Sequence, residues 1–180
     1  MFVGTNLGRL ATFKLLPSSQ GGYHVQLAGV SSIDDKIICI SAITADTGKP
    51  ACASQTVVAN LRDGYTVNGV LLVVTQGGAR IFKPATSKGA SKTWNEYLCD
   101  SANVVQFEDR GFALVGLFGD GCAKAFSIPS LKEIASAKID HKLDIRKLAD
   151  AIISPTGDIF GWIGPSEISV LNVWGTGQDT

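Results

Sequence analysis

The chain has 180 residues, 45% of them hydrophobic and 18% charged, which is the composition of a compact globular chain and not of a disordered one. Its 16 Lys and Arg residues balance 16 Asp and Glu residues, for a formal net charge of zero. That leaves no basic field to hold a phosphate backbone, so nucleic acid is excluded as an expected partner. No apolar run nears the roughly 20 residues a membrane span needs, and no basic stretch leads into a secretory apolar core. The expectation is a cytoplasmic chain with no transmembrane segment, any membrane association being peripheral or through partners. The 20 glycines, with plentiful Val and Ile, favour short strands joined by tight turns.

In chain order, "MFVGTNLGRLATFKLL" (1–16) opens as two apolar strands about the turn Asn6-Leu7-Gly8. "YHVQLAGVS" (23–31) is more polar and alternating, an outer strand. "GVLLVVTQGGARIFKP" (69–84) is a second hairpin, turning at Gln76-Gly77-Gly78. The step between these hairpins is long and holds either an insertion or an extra hairpin. "ANVVQFED" (102–109) reads as an innermost strand, and "FALVGLFGDGCAKAFSIP" (112–129) as a hairpin turning at Gly119-Asp120-Gly121. "EIASAKID" (133–140) follows as an outer strand. From Ser130 the same stretch also draws as an amphipathic helix, and a single helical turn near Asp144–Leu148 stays open. "LADAIISP" (148–155) is a further innermost strand, "SPTGD" (154–158) a type I turn, and "DIFGWIGPSEISVLNVWG" (158–175) the last hairpin, with its turn at Gly164-Pro165-Ser166. Gly and Asp supply the positive φ that hairpin turns require.

The last two hairpin turns lie about 45 residues apart, which is within WD40 blade spacing. Inner strand, two middle strands about a tight turn, then outer strand is propeller topology. The expected fold is therefore all-β: a WD40-like β-propeller fragment of about three blades of four-stranded antiparallel sheets. Residues 1–175 form the partial propeller and 176–180 the start of a tail. The chain opens inside a strand with no inner strand before it. Closing a ring typically takes about four to eight blades, so the expectation is part of a longer chain.

Four segments, "FSIPSLKEIAS", "ISPTGDIFGWIGPSEISVLNVW", "TADTGKPACAS" and "VTQGGARIFKPATSK", together resemble the C-terminal region of the lethal giant larvae/tomosyn family, most closely its fungal exocytosis and polarity proteins. The resemblance runs through most of the chain. It implies two successive propellers and a regulatory tail in the family, with this chain at the C-terminal blades of the second propeller. It also implies a non-enzymatic scaffold that binds a Qbc-type plasma-membrane SNARE and, in fungi, a secretory Rab GTPase. Such a scaffold regulates vesicle docking and fusion at sites of polarised secretion on the plasma membrane. No partner-binding residue carries over from the resemblance. A β-propeller adaptor with unrelated partners is the alternative.

The residues that invite catalysis read otherwise. Asp46-Thr47-Gly48 is the tripeptide of aspartic proteases, but such an enzyme needs two carboxylates sharing one proton. Lys49 and Pro50 follow where a small residue is usual. A turn is the better reading: Asp46 can bond the backbone two residues on, Gly48 can take positive φ, and Pro50 stops pairing. An aspartic-type hydrolase at Asp46 is the remote alternative. His24 and His141 are the two histidines and read as surface residues, not as members of a Ser-His-Asp arrangement. Cys39, Cys52, Cys99 and Cys122 form no C-x-x-C pair, so neither zinc nor a disulfide framework is expected. Cys39, inside "KIICISAI", reads as a small core residue. "GLFGDG" (116–121) precedes a strand and not the helix that a phosphate cradle needs. Trp162 and Trp174 sit in strands and fill space between blades. Trp94 either packs in the same way, which composition favours, or anchors a partner. No catalytic, cofactor or metal-binding residue is expected, and partner-binding residues stay open.

Overall fold

A continuous apolar run such as "GVLLVVT" or "FALVGLF" needs cover on both faces, and the chain provides it by stacking sheets. A computed structural model describes residues 1–44, 48, 69–82, 89–106, 111–138, 150–153, 158–162 and 168–172. β1 (Phe2–Gly4), β2 (Arg9–Pro17) and β3 (Tyr23–Ser32) form a first sheet, in that order. β4 (Ile37–Thr44), β5 (Gly69–Thr75), β6 (Gly78–Phe82) and β7 (Ser91–Thr93) form a second. β8 (Cys99–Gln106), β9 (Phe112–Phe118), β10 (Cys122–Ser127) and β11 (Glu133–Lys138) form a third. β12 (Asp150–Ile153), β13 (Asp158–Trp162) and β14 (Ile168–Asn172) form the fourth. Neighbouring strands are antiparallel throughout.

Each sheet is a meander that leaves from its outer strand to start the next sheet. The leading strands lie side by side, β1 against β4, β4 against β8, and β8 against β12. Sheets that radiate in sequence order from a common line of leading strands have propeller architecture, so the fold is all-β and WD40-like. The approach of the first two leading strands is close. A Cβ on Gly4 would stand 2.6 Å from Ile40 Cδ1 and 2.7 Å from Ile37 Cγ2.

Strand alternation sends neighbouring residues of one strand into different interfaces. On β5, Val70, Leu72 and Val74 join Ile43, Ala79 and Ile81 against the third sheet's Val104, Leu114, Phe118 and Phe126. Leu71 and Val73, on the opposite face, pack with Leu10 of the first sheet. On β9 the division repeats: Ala113, Val115 and Leu117 join Val105, Ala123 and Ala125 around Ile153 of the fourth sheet. Asn103 adds a polar tie there, its Nδ2 donating to the Ile153 carbonyl at 2.9 Å.

The first sheet is covered on one side only. Register places Val3 beside Ala11 and Val30, Phe13 beside Leu27, Leu15 beside Val25, and Pro17 beside Tyr23. These residues share the face opposite Leu10. Val3, Leu15, Tyr23, Val25, Leu27 and Val30 on it are all exposed.

The hairpins expected over 1–16, 69–84 and 112–129 are present; the inner strand expected at 102–109 is β8, which begins earlier, at Cys99, and the one expected at 148–155 contains β12. β11 occupies 133–138, so that stretch is strand and not helix. The long step between the first two hairpins contains β4, which pairs directly with β5. The possible helical turn near Asp144–Leu148, the turns at 154–157 and 164–166, Trp174 and the tail at 176–180 lie outside the described residues. So does Trp162's side chain. Among the described residues no helix is long and apolar enough to cross a membrane.

Candidate interaction surface at the turn end of the sheets

Burial on both faces leaves the middle sheets to meet other molecules by their ends, edges and clefts. One end is built from hairpin turns and from the loops between one sheet's last strand and the next sheet's first. Gly8, at φ +70°, closes the β1–β2 turn through its amide on the Thr5 carbonyl at 3.2 Å. Its own carbonyl accepts from the Ile33 amide at 2.8 Å, which fixes the β3–β4 loop. A Cβ at Gly8 would lie 2.7 Å from the Asp35 backbone, so the turn requires glycine on both counts.

The β3–β4 loop reaches the second sheet in turn. The Gln76 amide donates to the Lys36 carbonyl at 3.0 Å, and the Gly77 amide to Asp35 Oδ2 at 2.7 Å. The seam continues into the third sheet. The Cys99 amide donates to the Gln76 carbonyl at 2.9 Å, the Trp94 amide to the Gly77 carbonyl at 2.9 Å, and the Gly119 amide to the Leu98 carbonyl at 3.0 Å. Asp120 completes the β9–β10 turn by accepting from the Cys122 amide at 3.0 Å.

Two carboxylates on this end are electrostatically tuned. Partial burial alone would raise the Asp35 pKa; hydrogen bonding by the Thr75 side chain and by the Gly77 and Lys36 backbone outweighs it and holds the carboxyl below its usual range. At Asp120, burial is likewise outweighed, by hydrogen bonds from Cys122 and by the charge of Lys124. A carboxyl with a depressed folded pKa stabilises the fold fully above the ordinary carboxylate range. That contribution is lost as pH falls through the lower, folded pKa. Asp35→Asn is therefore expected to cost about 1–2 kcal/mol near neutral pH and progressively less in acid below about pH 4. Urea unfolding of both proteins across that window measures this; a penalty that stays constant into acid would refute the charged role.

Between the second and third sheets, beside this end, lies a cleft of about 230 Å³. Trp94 packs edge-on to Phe118 at 5.2 Å between ring centroids and tilted against Phe126 at 5.1 Å. Its Nε1 donates to the Thr75 carbonyl at 3.3 Å. Trp94 is thus a packing residue, half-buried against the core between two sheets. Lys92 Nζ stands 5.4 Å over the Phe126 ring, and Lys124 Nζ 5.5 Å over Phe118.

The other residues that the sequence singles out do not converge. His24 is exposed on β3, opposite Leu16. Asp46, His141 and Cys52 lie outside the described residues, while Gly48 takes φ +69° with its amide on the Thr44 carbonyl at 3.1 Å. Cys39 packs at the edge of the core, and burial pushes its pKa up to about 11. Burial, with the nearby Asp100, pushes the Cys99 thiol to about 12. Both thiols stay protonated and inert at neutral pH. Among the described residues no three His, Cys, Asp or Glu side chains gather as a metal site. Asp35 is the residue that sequence reasoning missed: its partners lie some 40 residues on, in another sheet, and no local motif marks it.

The model of the lethal giant larvae (Lgl)-like C-terminal family matches residues 1–180. The chain belongs to the lethal giant larvae family. The lethal(2) giant larvae protein homolog SRO77 of Saccharomyces cerevisiae is 26% identical over 191 aligned positions, covering 99% of this chain. The chain spans only 19% of that relative's length. Among solved structures, a crystal structure of BBS1N in complex with ARL6DN overlays 96% of this chain and 52% of its own, with a TM-score of 0.46 and 12% identity. The Lgl family is a scaffold family, and the stacked sheets give this member propeller-like architecture.

Proposed function

We propose that this chain is part of a non-enzymatic WD40-like scaffold for vesicle traffic. It binds a Qbc-type plasma-membrane SNARE and a secretory Rab GTPase, and so regulates docking and fusion in polarised exocytosis. It acts from the cytoplasm, peripherally at the plasma membrane where secretion is polarised. The observation that carries this reading is the family match along residues 1–180. The architecture is compatible with it: with the middle sheets buried on both faces, the turn end, the outer strands and the clefts between sheets remain for partners.

The test is a pull-down with the longer natural protein, using a purified Qbc SNARE and the Rab in its GTP and GDP forms. Retention of the SNARE, with preference for the GTP form of the Rab, is the expected outcome. Failure to retain either protein would overturn the proposal and leave the adaptor with unrelated partners.

A further inference from the structure

We infer that Ser32 is a phosphorylation site for a protein kinase that reads acidic residues, and that Arg9 holds the phosphate once it is attached. The site lies where the chain leaves the first sheet for the second. It does not depend on the SNARE and Rab reading, so either can fail without the other.

The sequence around the acceptor is distinctive. Ser32 ends β3 within "SSIDD", residues 31–35. Among the described serines and threonines, Ser31 and Ser32 alone are followed by two carboxylates within four positions. Kinases select substrates in part by such charge patterns. Both serines are exposed, and so is Asp34. Asp35 is tied to the Gly77 amide but stays charged, and it adds to the negative field beside the acceptor. Among the described residues β3 pairs with β2 alone, so its outer edge is open to an enzyme that grips an extended segment.

Register separates the two serines. Ser31 stands opposite Leu10, and Ser32 opposite Arg9. The Arg9 amide donates to the Thr5 hydroxyl at 3.0 Å, and the Arg9 carbonyl accepts from the Thr5 amide at 3.0 Å. Both backbone groups of Arg9 therefore point away from β3. Arg9 and Ser32 meet as a non-hydrogen-bonded pair, the kind whose side chains stand closer, with Cβ atoms about 4.5–5.5 Å apart. Arg9 is exposed and, among the described residues, in no ion pair. A phosphate on Ser32 meets a guanidinium whose planar fork matches it; on Ser31 it would meet a leucine.

In the transfer, Ser32 Oγ attacks the γ-phosphorus of ATP as the bond from that phosphorus to the β–γ bridging oxygen breaks. ADP leaves, and the hydroxyl proton passes to the kinase's base. Before transfer that hydroxyl donates to Asp34, whose backbone sits at φ +58°. Afterwards a phosphate of charge about −2 faces the same carboxylate and repels it. Asp34 is flanked by two ties between elements: the Ile33 amide on the Gly8 carbonyl and Asp35 on the Gly77 amide. Phosphate on Ser32 thus draws the strand end to Arg9 and loosens the loop that joins the first sheet to the second.

The longer natural protein, incubated with casein kinase II and magnesium ATP, tests this by peptide mass spectrometry. Phosphate is expected on Ser32. Ser32→Ala should abolish it, Ser31→Ala should retain it, and Asp34→Asn should slow its addition about tenfold or more. Arg9→Gln should speed its removal by a phosphatase about two- to fivefold. Hydrogen exchange read by mass spectrometry should quicken at Ile33 and Gly77 on phosphorylation. Unchanged exchange elsewhere checks the fold of the variants; where a variant alters it, the position of the phosphate in the unaltered protein decides. Absence of phosphate from Ser32, phosphate on Ser31 in its place, or a removal rate unmoved by Arg9→Gln would each overturn the inference.

Discussion

Phe126→Ala is expected to destabilise the chain by about 3–5 kcal/mol. The side chain is 1% exposed at the heart of the interface between the second and third sheets. It touches Trp94 and Phe118, whose aromatic contacts with it add about 0.5–1.5 kcal/mol each beyond area burial. The walls of the resulting cavity are strands held on both sides, so little collapse can refill it. Phe126→Leu retains most of the volume and should cost about 1–1.5 kcal/mol. Guanidinium unfolding reads both as falls in midpoint at constant slope. If the alanine variant lost less than about 1 kcal/mol, the two sheets would not share a core.

The isolated chain is expected to self-associate through the uncovered face of its first sheet. Tyr23, Val25 and Leu27 are 74%, 55% and 55% exposed, on the same face as Leu15 and Val30. A contiguous apolar patch on a strand surface is an association site. Burying Val25 and Leu27 stabilises a dimer by about 1.5–3 kcal/mol each. Val25→Lys with Leu27→Lys should therefore weaken association by about a hundredfold or more, while the circular dichroism spectrum stays unchanged. Sedimentation velocity over a concentration series measures this. A wild-type chain that remains monomeric throughout would remove the basis of the prediction.

What the sequence made legible follows from where its signals are local. The hairpins at 69–84 and 112–129 combine apolar runs with Gly-rich turns, and both are present. β11 was readable only as one of two alternatives: Leu131, Ile134, Ala135 and Lys138 keep helical spacing, Ser136, Ala137 and the β-branched Ile139 suit a strand, and pairing with β10 decides it. β7 was not readable: Ser91-Lys92-Thr93 has no apolar alternation, and its strand state comes wholly from pairing with β6. The inner position of β4 was equally hidden, since "IICISAIT" looks like any buried run until β1 and β8 are placed beside it. The tie from Asp35 to Gly77 and the lysines over the phenyl rings depend on sheet stacking, which no spacing in the chain encodes. Trp94 resolves to packing because its ring found Phe118 and Phe126, residues more than 20 positions away.

Alternating residues of β5 and β9 pack against different neighbouring sheets, and this has a dynamic consequence. Each sheet draws much of its free energy from the sheet before and the sheet after, so stability propagates along the array as in a one-dimensional chain of coupled units. Amide hydrogen exchange should be slowest in β5 and β9, which are covered twice, and fastest in β3, with β10 between them. Loosening one interface then lowers protection in the sheet beyond it, transmitting a disturbance at one cleft to the next without any hinge.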